Sequence, residues 1–139
     1  MQSPEITNAV VHSDTEIAAG DQGIMFGYAC DDTKTFMPAP IYFANLLAER
    51  LDTIQHRYDY LGPDGKTQVS VEYEDDKVKR IDTIVISTQH SDNVSQNKIK
   101  NIIIEQVINE VIDCELIDSD TRILINPSGS FIVGGSFGD

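Results

Sequence analysis

Apolar residues recur along this chain at two spacings, and the switches between them mark its elements. Gly23 to Ala29, with Ile24, Met25, Phe26 and Tyr28, reads as a strand. A polar loop, Asp31-Asp32-Thr33-Lys34, follows it. Pro38 and Pro40 announce a helix, Pro40 being suited to a first turn. Phe43, Leu46, Leu47, Leu51 and Ile54 then recur at helical spacing, with Glu49, Arg50 and Asp52 on the other side. That helix is expected to end near His56, ahead of the turn-rich Leu61-Gly62-Pro63-Asp64-Gly65.

Val69, Val71 and Tyr73 alternate with Gln68, Ser70, Glu72 and Glu74, the pattern of a half-buried strand. Glu74-Asp75-Asp76-Lys77 reads as a solvated hairpin turn, and Val78 to Thr88 as the returning strand. Ser95 suits an N-cap, and Ile99, Ile102, Ile103, Val107, Val111 and Ile112 form the stripe of a second helix. Thr121 to Ile125 is a further strand, Asn126-Pro127-Ser128-Gly129 a turn, and Phe131-Ile132-Val133 a short apolar strand.

The order β-α-β-β-α-β, with a last short strand, predicts an α+β domain of two layers, a mixed sheet with both helices on one face. Ile84-Val85-Ile86 places apolar groups on both faces of the sheet. Something is therefore expected to cover the second face: a sheet from a partner subunit or from another domain. The plainer alternative is one exposed apolar side chain, which is common on protein surfaces.

Bulk properties narrow the function. A chain of 139 residues with 40% hydrophobic content is expected to form one globular domain. A net charge of −13 disfavours nucleic acid and anionic membrane surfaces, because both need basic patches. No apolar run reaches bilayer length, and Met1-Gln2-Ser3-Pro4 lacks the features of a signal peptide, so a cytoplasmic location is expected. Cys30 and Cys114 read as free, mostly buried thiols. His12, His56 and His90 share no ligand spacing, so no zinc is expected; His12 and His56 read as surface residues, His90 as a strand-end histidine bonded to backbone with no catalytic role.

Candidate chemistry lies in three segments. In Ala19-Gly20-Asp21-Gln22-Gly23, glycines permit close approach while Asp21 has the wrong sign for a phosphate cradle. A carboxylate there suits an ammonium group, a hydroxyl or a developing positive charge, and a plain Asx turn is the structural alternative. In Asp64-Gly65-Lys66, the lysine can donate to phosphate and the aspartate can accept from a ribose hydroxyl, unless the pair only reverses the chain. Phe131, beside a glycine turn, can stack on a purine or simply fill core.

These segments together resemble the S-adenosylmethionine synthetases (methionine adenosyltransferases). Ile17-Ala18-Ala19-Gly20-Asp21-Gln22-Gly23 with Met25-Phe26-Gly27-Tyr28-Ala29 is similar to that family's Gly-Ala-Gly-Asp-Gln-Gly hexapeptide and following strand, with Ala18 for the first glycine. Pro63-Asp64-Gly65-Lys66-Thr67-Gln68-Val69 resembles its Pro-Asp-x-Lys-Thr-Gln-Val, with Gly65 for the usual alanine. Asn126-Pro127-Ser128-Gly129-Ser130-Phe131-Ile132-Val133-Gly134-Gly135, continuing to Gly138-Asp139, resembles its Asn-Pro-Thr/Ser-Gly-Arg-Phe-Val-Ile-Gly-Gly-Pro-x-Gly-Asp. Ser130 stands for the arginine and Ser136 for the proline. Gln2-Ser3-Pro4-Glu5-Ile6 and Ser87-Thr88-Gln89-His90 also match the family, and the matches run the length of the chain in order.

The resemblance implies a central domain, spanning residues 1–139 and starting in the flexible-loop region, of an enzyme that forms S-adenosylmethionine from ATP and L-methionine with release of phosphate and diphosphate. It implies ATP contacts at Asp64, Gly65, Lys66, Ser130, Phe131 and Asp139, and methionine contacts at Gln2, Asp21 and Asp139. It also implies Mg2+ and K+ held by flanking domains, and homodimers or homotetramers of the whole enzyme. The His-x-Asp start, the phosphate loop and the basic cluster after Asp139 are not in this sequence, so the chain alone is expected to be inactive. The competing expectation is a non-catalytic oligomerisation or regulatory module that keeps the fold.

Overall fold

Asp75 and Asp76 both adopt positive φ, 49° and 59°, and so form the tight turn that joins two long strands with matching twist. A computed structural model describes residue 4 and residues 11–13, 16–17 and 24–138. Within them, β1 (Val11–Ser13) and β2 (Glu16–Ile17) form a small antiparallel pair. The main body comprises α1 (Ala39–Gln55), β3 (Leu61–Glu74), β4 (Lys77–His90), α2 (Gln96–Ile103), α3 (Asn109–Val111) and β5 (Arg122–Ile125). The strands order as β3-β4-β5, antiparallel then parallel, which makes the sheet mixed as expected.

α1 and α2 each present one apolar stripe to one face of this sheet. Leu47, Leu51 and Ile54 of α1 and Ile99 and Ile103 of α2 are buried against Val69, Ile81, Ile84 and Ile86. Burying each such side chain is worth about 1.5–3 kcal/mol, which is what holds the layers together. Ser95 caps α2, its hydroxyl accepting from Lys98 N at 3.3 Å. Between α2 and α3 lies a π-helical stretch, Ile104–Ile108. It widens the helix by one residue, so that Val107 and Ile108 are both buried and the stripe resumes at Ile112.

Three expectations need correction. Residues 24–30 form no strand: they pair with no strand among the described residues, and Met25 and Phe26 are 94% exposed. Apolar composition alone does not make a strand without an edge to bond. Leu61 to Gly65 is not a turn but the start of β3, with its register shifted between Leu61 and Gly65. The glycines there serve close packing: a Cβ on Gly62 lies 2.5 Å from the Gln89 side chain. Phe131 to Val133 also forms no strand, although Phe131 bonds to the end of β4.

Ile84 and Ile86 are buried under the helices, and Val85 between them faces the other side of the sheet. Gln68, Val85 and Leu124 form one rung there, and Leu124 is exposed. Both cysteines are free thiols as expected, but Cys114 is exposed rather than buried.

Candidate functional site

The C-terminal end of β4 gathers two of the three candidate segments. β3 carries Asp64 and Lys66 on the face away from the helices, with Lys66 opposite Ser87. Gly65 lies between them opposite Thr88 and faces α1, where a Cβ falls 2.8 Å from Leu51 Cδ2. Asp64 Oδ2 accepts a hydrogen bond from Gly135 N at 2.8 Å. The Asp64 backbone is fixed on both sides: its N–H donates to Gln89 Oε1 at 3.3 Å and its carbonyl accepts from Gln55 Nε2 at 3.0 Å.

The chain reaches Gly135 by a turn that Asn126 anchors. Asn126 is buried with φ +45°, a conformation that asparagine tolerates better than most residues. Its Oδ1 accepts from Thr88 N at 2.8 Å, and Gly129 N closes the Asn-Pro-Ser-Gly turn on Asn126 O at 2.8 Å. Phe131 then lies alongside His90: His90 N donates to Phe131 O at 2.9 Å, and Phe131 N donates to His90 Nε2 at 3.1 Å. Gln89 Nε2 donates to Ile132 O at 3.0 Å. Gly134 fits closely, since a Cβ there meets Asp64 Cβ and Gln89 Oε1 at 2.8 Å.

His90 is 3% exposed and bonded to backbone, in keeping with its strand-end reading. Nδ1 faces the Ser91 carbonyl at 2.9 Å and must donate to it, so Nε2 is the acceptor. Gln96 Nε2 shares that acceptor at 2.9 Å. Beside this junction is an open hollow of about 450 Å³, lined by Gly62, Gln89, His90, Asp92 and Ile132 among others.

Phe131, next to the hollow's Ile132 in sequence, is half-buried, and Ser130 is exposed. Gln2, Asp21 and Asp139 lie outside the described residues. Among the described residues no three His, Cys, Asp or Glu side chains converge as a metal ion needs. No described helix is long and apolar enough to cross a membrane. Sequence reasoning missed Gln55, Gln89, Gln96 and Asn126 as builders of this site. The signals were Asn126 itself, an asparagine between a strand and a proline, where a side chain can replace a backbone partner, and Gln89 within the matching Ser87-Thr88-Gln89-His90 segment.

These features define an α+β domain whose candidate site is built where a strand end, Asp64 and a glycine-rich C-terminal segment meet. The family model for the S-adenosylmethionine synthetase central domain matches residues 16–131. The chain belongs to the S-adenosylmethionine synthetase family and corresponds to its central domain. It is 56% identical to the S-adenosylmethionine synthase of Clostridium botulinum (strain Alaska E43 / Type E3) over 125 residues, covering 88% of this chain and 32% of that protein. It is 51% identical over 143 residues to that of Desulfosudis oleivorans, covering 99% of this chain and 37% of the relative. With the Helicobacter pylori (strain HPAG1) protein the identity is 50% over 142 residues, 99% of this chain and 36% of the relative. The chain thus spans about a third of the length of these relatives.

Proposed function

We propose that this chain supplies the nucleotide-binding wall of a methionine adenosyltransferase and is inactive alone. In that reaction the methionine sulfur attacks C5′ of ATP, an S–C bond forms, and the C5′–O bond breaks. The electron pair leaves with the triphosphate, which water then cleaves to phosphate and diphosphate. A neutral sulfur becomes a sulfonium as a polyanion departs, so the site needs carboxylates at one end and cations at the other.

One observation carries this reading: Asp64 Oδ2 and Gly135 N meet at 2.8 Å, joining the two segments to which ATP contacts are ascribed. Asp64 keeps its second oxygen for a ribose hydroxyl, Phe131 offers a ring for the adenine, and Lys66 offers a cation for the phosphates. Gly65, Ser130 and Asp139 complete the ATP side in this proposal, while Gln2, Asp21 and Asp139 receive methionine. Lys66 alone is too little charge for a triphosphate. The missing cations belong to the flanking domains, along with Mg2+ and K+, for which the described residues offer no ligand set. The domain boundaries, 1–139 opening in the flexible-loop region, and a homodimeric or homotetrameric cytoplasmic enzyme are part of the same proposal.

The test is direct. The 139-residue chain, mixed with ATP, methionine and Mg2+, is expected to form no S-adenosylmethionine, whereas a full-length protein carrying it forms the product. Turnover by the chain alone overturns the inactivity, and a full-length protein that stays inactive while it still assembles supports the non-catalytic module instead. A micromolar calorimetric constant for S-adenosylmethionine on the isolated chain overturns the incompleteness of its half-site.

A further inference from the structure

We propose that Gln89 and His90 are positioning residues, a two-sided clamp that sets Asp64 and Phe131 for the nucleotide; this rests on the ATP-binding reading above. The two side chains alternate across β4, as successive strand residues must. Gln89 lies on the side of Asp64: its Oε1 accepts from Asp64 N at 3.3 Å while its Nε2 donates to Ile132 O at 3.0 Å. One carboxamide therefore ties β3 to the segment after the Asn-Pro-Ser-Gly turn. His90 takes Phe131 by both backbone groups, donating its own N–H to Phe131 O at 2.9 Å and accepting Phe131 N–H on Nε2 at 3.1 Å.

Residues 131–132 thus have the bonds of a strand beside β4 without forming one, because two side chains make the links that a ladder leaves to backbone. The arrangement depends on one tautomer. Ser91 O requires the proton on Nδ1, which leaves the Nε2 lone pair for Phe131 and Gln96. Gly62 and Gly134 leave the room the Gln89 carboxamide occupies, a Cβ on either falling within 2.8 Å of it. The geometry is specific: a larger residue on either side displaces the clamp, and Asp64 with it.

The experiment uses the full-length protein carrying this segment, with His90→Gln, His90→Leu and Gln89→Leu, and separates KM for ATP from kcat. Glutamine at position 90 carries an acceptor near the place of Nε2; leucine keeps bulk without it. Both leucine variants are expected to raise KM for ATP about tenfold, His90→Leu through loss of a buried acceptor and Gln89→Leu through loss of the half-buried carboxamide that joins Asp64 to Ile132. His90→Gln is expected to bring KM back to within about threefold of the parent, with kcat little changed. Equal impairment of the Gln and Leu variants, or wild-type behaviour of both, overturns the clamp. Nitrogen NMR of the imidazole in the unsubstituted protein decides the matter even if the leucine variants fail to fold. A proton on Nδ1 with a slowly exchanging Phe131 amide supports the clamp, and a proton on Nε2 overturns it. An unsubstituted protein that forms no S-adenosylmethionine and binds no ATP instead overturns the ATP reading, an outcome the tautomer measurement does not share.

Discussion

The carboxamide of Asn126 completes a rung of the sheet with Thr88: Oδ1 accepts from Thr88 N at 2.8 Å and Nδ2 donates to Thr88 O at 3.2 Å. β5 ends at Ile125, so this side chain extends the parallel ladder past the last strand residue. Thr88 is fully buried, and its backbone groups have no water to turn to.

Asn126→Ala is therefore expected to cost about 2–4 kcal/mol, leaving two buried backbone groups unpaired and placing alanine at positive φ. Urea unfolding of the purified chain measures it. A loss below about 0.5 kcal/mol, the level of an ordinary surface change, shows that the rung is dispensable.

Gly134 and Gly65 both lack room for a Cβ, with different expected consequences. At Gly134 the obstacle is the Asp64 carboxylate and the Gln89 amide, which are already bonded, so Gly134→Ala is expected to break the bond between Asp64 and Gly135. Faster hydrogen exchange of the Gly135 amide is the readout. At Gly65 the nearest atom is the end of the Leu51 side chain, which can give, and alanine suits a strand better than glycine does. Gly65→Ala is expected to change stability by less than about 1 kcal/mol, and a larger loss shows that Leu51 has no freedom there.

Tyr73 and Asp32 set opposite ends of the pH range. Burial and the hydrogen bond to Asp32 push the Tyr73 hydroxyl up to about 12. Its stabilising contribution is present below the ordinary tyrosine value and is lost as pH rises through about 12. The Tyr73 hydroxyl, followed by the Ala39 N–H, holds the Asp32 carboxyl below the usual range. That contribution is present above the unfolded value and is lost as pH falls through the lowered one. Tyr73→Phe is expected to remove a late step from the tyrosinate absorbance titration and to weaken resistance to acid. An unchanged titration shows that another tyrosine ionises last.

Arg80 joins three carboxylates, Glu72 at 2.7 Å and Asp82 and Asp118 at 3.2 Å each. In a chain of net charge −13, its removal leaves those carboxylates facing one another. Arg80→Ala is expected to lower Tm more at low ionic strength than in 1 M salt, where the Debye length is about 3 Å. The same decrement in both conditions assigns the effect to packing of the arginine stem instead.

The helices, the hairpin at Asp75-Asp76 and the mixed order of layers were legible because local rules produce them. A stripe at helical spacing such as Leu47, Leu51, Ile54 has one place to go, and the acidic pair between two alternating runs has one conformation that joins them. Asp64 and Phe131 were legible as candidates through their motifs. Leu61 to Gly65 has turn composition but is held in β3 by pairing with β4, and the two strands that did not form fail for the converse reason. Ile24 to Tyr28 and Phe131 to Val133 have strand composition, but a strand is a relation to a partner edge, which no local window contains.

The sequence by itself determined the family and the α+β class and offered Asp64 and Phe131 as candidates, because hydrophobic spacing and short motifs are written in consecutive residues. Only the tertiary structure decided that Asp64 bonds to Gly135, 71 positions away, and that Asn126, Gln89 and His90 stand in for strand pairing around it. Hydrogen bonds between distant residues depend on how the strands register and where β4 ends, and that is settled by packing the whole sheet against α1 and α2.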